Sequence, residues 1–155
     1  MHPDLVFEYT PIQEDGTREL AISADGLIKL FPIVENLVEN APNYENWKIV
    51  AFRQRIPGYE MQINNEGIIL SYSDIFFRYQ DADYGELGIE LFIKGYDGSG
   101  LMQNTVYILL DNLLGEYDTV MGIKWIEWME LKENENKKLL PLTNLRNLID
   151  QKKEI

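Results

Sequence analysis

The 155-residue chain contains no cysteine, and its one histidine is His2, at the amino end. Together these absences exclude much chemistry. Thiol nucleophiles, Ser-His-Asp triads, thiolate zinc sites and histidine metal sites all need side chains that the sequence does not supply. A chain without cysteine also fits a reducing compartment. Long apolar runs are missing as well. Those near Val106–Leu110 and Ile68–Leu70 fall far short of the ~20 residues that cross a bilayer. The opening Met1-His-Pro-Asp-Leu-Val-Phe-Glu8 has no basic segment leading into an apolar stretch, so no signal peptide is expected. Positive charge is scarce: 14 Lys and Arg face 26 Asp and Glu, for a formal net charge of −12. Such a field repels phosphate backbones and anionic membranes. Nucleic acid and membrane are therefore not expected partners, and a basic protein is the partner that charge favours.

What is present is a globular composition, 45% hydrophobic and 12% aromatic. At this length a single domain is expected over 1–155. Its core would span 4–131, followed by a polar linker over 132–140 and a C-terminal helix over 141–153.

The patterning reads as follows. Leu5-Val-Phe-Glu-Tyr-Thr10 and Arg18-Glu-Leu-Ala-Ile-Ser23 flank the turn Glu14-Asp15-Gly16 and form a hairpin. Asp25 is read as the N-cap of a helix. Its apolar stripe is Leu27, Leu30, Phe31, Val34, Leu37, Val38 and Ala41, with Pro32 kinking it or marking its first turn. Trp47 to Arg53 is a strand, and Tyr59–Ile63 and Gly67–Tyr72 make a second hairpin. Ile75–Tyr79 follows. Leu87, Ile89, Leu91 and Ile93 alternate cleanly with Gly88, Glu90, Phe92 and Lys94 as a half-buried strand. Ser99 caps a second long helix with the stripe Met102, Val106, Leu109, Leu110 and Leu113, ending at Gly115. Ile123 to Leu131 is an aromatic-rich strand, and Leu142, Leu145, Leu148 and Ile149 mark the last helix. The pattern predicts an α+β fold: a mostly antiparallel sheet of about six to seven strands, two long helices on one face and a short C-terminal helix. The residues expected to share one core are Leu30, Val34, Leu37, Val38, Ile89, Leu91, Ile93, Val106, Leu109 and Leu113. No internal repeat is visible.

Two polar groupings stand out as candidate binding residues. The first is Asp111, Asn112, Glu116, Tyr117 and Asp118. Asp111 sits on the helix side of Asn104 and Tyr107, away from the apolar stripe. Glu116 and Asp118 follow the helix break, where the helix dipole disfavours carboxylates by about 0.3–1 kcal/mol each and a compensating cation is expected. The second is Arg53 and Arg55, two apart on a strand and so on one face. Their planar forks suit carboxylates, and one of them is expected within ion-pair reach of Glu116 or Asp118. Other signals fail. Asp81, Asp83 and Glu86 miss the calcium-loop spacing, because position 6 is Glu86 rather than glycine and position 12 is Phe92. Gly95-Tyr-Asp-Gly-Ser-Gly100 lacks the Gly-Lys-Ser/Thr ending of a phosphate loop. No catalytic residue, metal ligand set or cofactor is indicated.

The segments Glu19-Leu-Ala-Ile-Ser-Ala-Asp-Gly26, Trp47-Lys-Ile-Val-Ala-Phe-Arg-Gln-Arg55 and Leu110-Asp-Asn-Leu-Leu-Gly-Glu-Tyr-Asp118 resemble a group of small bacterial proteins of uncharacterised activity. The likeness spans most of Leu5–Leu131, with the C-terminal helix outside it. It implies a bacterial cytoplasmic source and carries no activity with it. Three functional expectations remain. The leading one is a non-enzymatic acidic interaction module, an adaptor or immunity-type protein that meets a basic partner. The others are a small-ligand binder with an aromatic cleft and a carboxylate-dependent, metal-assisted or metal-free hydrolase.

Overall fold

The structure is a computed structural model that describes residues 2–133 and 138–154. β1 (Val6–Tyr9) and β2 (Arg18–Ser23) pair antiparallel, as the intervening turn predicts. The chain then turns through Asp25 and Gly26, both at positive φ. A single 3-10 turn at Ile28–Leu30 leads into α1 (Phe31–Glu39). Asp25 is therefore a turn residue and not the helix cap expected of it. Pro32 lies in the first turn of α1, where its missing N–H deprives the helix of nothing. α1 crosses over to β3 (Trp47–Ala51), which lies parallel to β2.

β4 (Gln62–Asn65) and β5 (Ile68–Ser71) form a separate hairpin. β6 (Ile75–Asp81) pairs antiparallel with β7 (Leu87–Ile93). From β7 the chain passes through α2 (Gly100–Leu114) and α3 (Glu116–Gly122), then returns as β8 (Ile123–Glu130), parallel to β7. β9 (Leu140–Pro141) pairs with the free side of β6, and α4 (Asn144–Lys153) follows. Leu140, placed in the polar linker by sequence, thus belongs to a sheet. Positions 134–137 of that linker lie outside the described residues.

The fold is α+β, but the single large sheet is not formed. Among the described residues nine strands make three small sheets, ordered β1-β2-β3, β4-β5 and β8-β7-β6-β9. Two helical crossovers return the chain beside the strand it left, which gives parallel pairs where short hairpins give antiparallel ones. The shared core divides accordingly. Leu30, Phe31 and Val34 of the first half pack with Ile22, Phe52 and the partly buried Leu37 and Val38. Ile89, Leu91, Ile93, Val106, Leu109 and Leu113 form the second core with Phe77, Leu142, Leu145 and Ile149. The nine residues of α1 pack against β2 and β3; α2, packed against β4, β5 and α4, closes a separate layer.

The two halves repeat one topology. β1-β2-α1-β3 and β6-β7-α2-α3-β8 are each an antiparallel hairpin, a helical crossover and a third strand parallel to the second.

A candidate binding cleft between the two halves

The join between the halves begins at Phe52. Its φ of 69° puts it in the left-handed region, an arrangement costing about 1–3 kcal/mol for a bulky residue. Its ring is buried against Phe31 and Tyr117, with centroids 4.4 and 5.5 Å away. Its N–H still donates to the Ile22 carbonyl at 2.8 Å. The kink ends β3 at Ala51, so Arg53 and Arg55 are not on a strand and do not share a face. They go to different places.

Glu116 is the staple of the join. It is fully buried. Its Oε2 accepts from Ser23 Oγ at 2.8 Å and from the Arg53 N–H at 3.1 Å. Its Oε1 accepts from the Ala24 and Gly26 N–H groups at 3.1 and 3.0 Å. Three amides and a hydroxyl therefore solvate a carboxylate that burial strips of water. The expectation for Glu116 and Asp118 needs correcting in its physics. Both lie in the first turn of α3, not in a tail beyond α2, so the dipole of the new helix favours them. Gly115 makes the corner at φ 85° and ψ 152°, a region open essentially to glycine alone.

The last four carbonyls of α2 lack intrahelical partners by construction. Each finds one. The Asp111 carbonyl accepts from Gly115 N at 2.8 Å, and that of Asn112 from Ile56 N at 2.7 Å. The Leu113 carbonyl accepts from Arg146 Nε at 2.8 Å, and that of Leu114 from Arg55 Nε at 3.2 Å. Arg55 then pairs with Asp118 at 3.1 Å and, through both terminal nitrogens, with Asp150 at 3.0 Å. The Arg55 hydrogen bond holds the Asp150 carboxyl below its ordinary value. Lys153 also reaches Asp118. The expected arginine–carboxylate pair exists as Arg55–Asp118, and its work is to tie α2, α3 and α4 together. Tyr117 stacks on Phe31, meets Phe52 at a tilt and belongs to the same fastening.

Arg53 takes the other direction, into an open cleft of about 770 Å3 between the halves. Its Nε donates to Glu8 at 2.8 Å and its Nη1 to Asp25 at 3.0 Å; Asp111 lies 3.7 Å away. Burial works to lower the guanidinium pKa, but Glu8 and Asp25 outweigh it and the net shift is upward. Asn104, Tyr107, Ile108, Asp111 and Asn112 of α2 form one wall, and Lys124 and Trp125 of β8 stand on the lining too. Two neighbours fix the aromatic members. The Tyr107 ring meets Trp128 edge-on at 5.5 Å, and Trp125 lies across Gly88, where a Cβ would come within 2.1 Å of the indole.

Asp111 is the least satisfied acid of the cleft. Its side chain is only 17% exposed, and its cation is the distant one of Arg53's three contacts. Burial pushes its carboxyl up to about 6; Arg53 opposes this, while Glu116 and Asp25 add to it. The neighbouring Thr119 hydroxyl, whose hydrogen bond also works to lower that pKa, shares its one proton with the Gly115 carbonyl at 2.8 Å.

Of the seven residues singled out from sequence, the structure thus brings Arg53, Asp111 and Asn112 into the cleft. Glu116, Arg55, Asp118 and Tyr117 fasten the surrounding elements. Sequence reasoning missed Glu8, Lys124 and the buried Arg146, and it gave Asp25 another role. The Asp25-Gly26 pair is a turn signal that would have placed Asp25; Glu8 and Arg146 left no local trace. Among the described residues no three acidic or histidine side chains converge as a metal site, and no helix is long and apolar enough to cross a membrane. No protein-family model, curated protein or solved structure matches the chain.

Proposed function

We propose that the protein is a non-enzymatic acidic interaction module, an adaptor or immunity-type protein of a bacterial cytoplasm, that receives a basic partner protein in the cleft between its halves. The observation that carries this reading is the charge of the cleft. Glu8, Asp25 and Asp111 all converge on Arg53. Lys124, the other cation of the lining, pairs with Asp83 at 3.3 Å. Three carboxylates thus face one guanidinium in a concave site, within a chain of net charge −12. A basic partner gains Coulomb attraction there at close range and steering at long range.

Affinity capture from the lysate of the native host tests this with two variants beside the wild type. Asn104→Lys sets a cation in the cleft without removing a packing contact, since Asn104 is exposed. Glu35→Lys makes a larger change in the same direction, two charges against one, on the exposed face of α1 away from the cleft. Basic proteins retained by the wild type and by Glu35→Lys, and lost from Asn104→Lys, support the reading. Equal retention by all three overturns it.

A second reading, a carboxylate-dependent hydrolase, draws on the raised pKa of Asp111, which suits a group that accepts or donates protons near neutrality. It requires turnover that Asp111→Asn abolishes.

A further inference from the structure

We infer that the cleft holds a site for a single arginine side chain of the partner, with Asp111 as the carboxylate that receives the guanidinium and the Tyr107 ring as the flank on which it lies. The inference rests on the cleft being the docking site and adds the chemistry of what enters it.

Three observations lead there. The first concerns satisfaction. An ionised carboxylate has about four acceptor positions. Glu116, the fully buried acid of the join, fills its positions with four donors at 2.8–3.1 Å. Asp111, at 17% side-chain exposure, has only Arg53 at 3.7 Å and the Thr119 hydroxyl, whose single proton it shares with the Gly115 carbonyl. Its acceptor capacity is therefore unused on the cleft side. The second concerns Arg53 itself. That guanidinium is anchored by Glu8 at 2.8 Å and Asp25 at 3.0 Å, so it cannot close on Asp111 without leaving one of them. It leaves Asp111 with excess negative charge. The third is the wall. Tyr107, one helical turn before Asp111, is about two-fifths exposed on the cleft and is held by the edge contact with Trp128. A carboxylate beside a fixed phenol face suits a planar cation that donates two parallel hydrogen bonds and stacks. An ammonium fits the charge but not the plane.

The test uses the full-length protein and small probes: N-acetylarginine amide, N-acetyllysine amide and N-acetylcitrulline amide, the uncharged isostere of arginine. Backbone amide resonances of Asn104, Tyr107, Asp111 and Asn112 and the Trp125 indole are followed by two-dimensional NMR at pH 7.5. The arginine probe is expected to shift these resonances together, and citrulline is expected not to. Asp111→Asn, checked for folding by its own spectrum, is expected to weaken the arginine probe about tenfold to a hundredfold, the range of a lost hydrogen-bonded charge partner. Lowering the pH through about 6 is expected to release the probe, as Asp111 takes up a proton among Arg53, Glu8, Asp25, Glu116, Thr119, Lys124 and Tyr107. Equal response to citrulline, undiminished binding by Asp111→Asn, or tighter binding of lysine overturns the arginine site. If any of these occurs while Asn104→Lys still blocks capture of a basic protein, only the arginine site falls. If capture is indifferent to Asn104→Lys, the docking reading falls with it.

Discussion

At the residue scale two acids of the seam, the buried Glu116 and the half-buried Asp111, have opposite environments. Glu116 is solvated by protein donors on both oxygens. Replacing it by glutamine keeps size and shape but turns one acceptor into a donor. At the Oε2 position an amide nitrogen would face the Arg53 N–H; at Oε1 it would face the Ala24 and Gly26 N–H groups. Glu116→Gln is therefore expected to destabilise by about 1–3 kcal/mol for each buried donor left unpaired, and urea unfolding reads the loss. A midpoint equal to that of the wild type would show that the staple is not holding the halves. Asp111 behaves in the reverse sense. Its carboxyl is raised from 3.8 to about 6 in the folded state, so the folded protein holds that proton to higher pH than the unfolded chain does. The resulting destabilisation is absent below pH 3.8 and complete above about 6. Asp111→Asn is expected to gain up to about 3 kcal/mol at pH 7–8, a figure already net of the Arg53 attraction, and nothing near pH 3.5. Thermal melts of the two proteins across pH 3.5–8 measure the difference. A constant offset across that range would contradict the shift.

The residue types that mattered were legible in the chain, but their destinations were not. Asp111, Asn104 and Tyr107 were placed on one helical side by spacing alone, and the cleft bears that out. Arg53 and Arg55 were assigned to one face because a strand was extended through them. The left-handed Phe52 breaks that strand, and nothing in Val50-Ala-Phe-Arg announces a positive φ at an aromatic residue.

At the scale of elements, the apolar stripe of α2 was read correctly, and its burial is wider than a single face requires. Leu109, Leu110, Leu113 and Leu114 are all buried between the second sheet, the β4-β5 hairpin and α4. Leu109→Ala is expected to cost roughly 2–5 kcal/mol, the range for deleting a fully enclosed leucine; a change below 1 kcal/mol in denaturant titration would show that the site collapses around the gap. The sheets were harder. Alternation identifies a strand, but the strand's neighbour depends on a crossover of tens of residues. Short spacings suggested hairpins throughout. The helices of the two crossovers instead return β3 and β8 parallel to β2 and β7. The end of α2 illustrates the same limit. Its four terminal carbonyls are satisfied by Gly115, Ile56, Arg146 and Arg55. Only the glycine could be foreseen, because the others arrive from remote parts of the chain.

At the scale of the whole molecule, two copies of one topology meet along a seam. The seam is both fastened and open. Glu116, Arg55 and Arg146 close one side of it, while Arg53, Asp111 and Tyr107 line the cleft on the other. The net charge of −12 acts on any partner long before contact. If a basic protein docks in the cleft, its association rate should fall severalfold between low and physiological salt, as the screening length shortens to about 8–10 Å. An association rate that stopped-flow finds indifferent to salt would remove the field as the source of recognition. The central claim is more specific, since it names the cleft. Zero-length carbodiimide cross-linking, which joins carboxylates directly to lysines, reads it most directly. Applied to the protein bound to a captured basic partner and analysed by peptide mass spectrometry, it is predicted to report links at Glu8 and Asp25, the exposed acids of the cleft rim. Links confined to acids remote from the cleft, such as Glu35, Glu39 and Glu66, would contradict the claim.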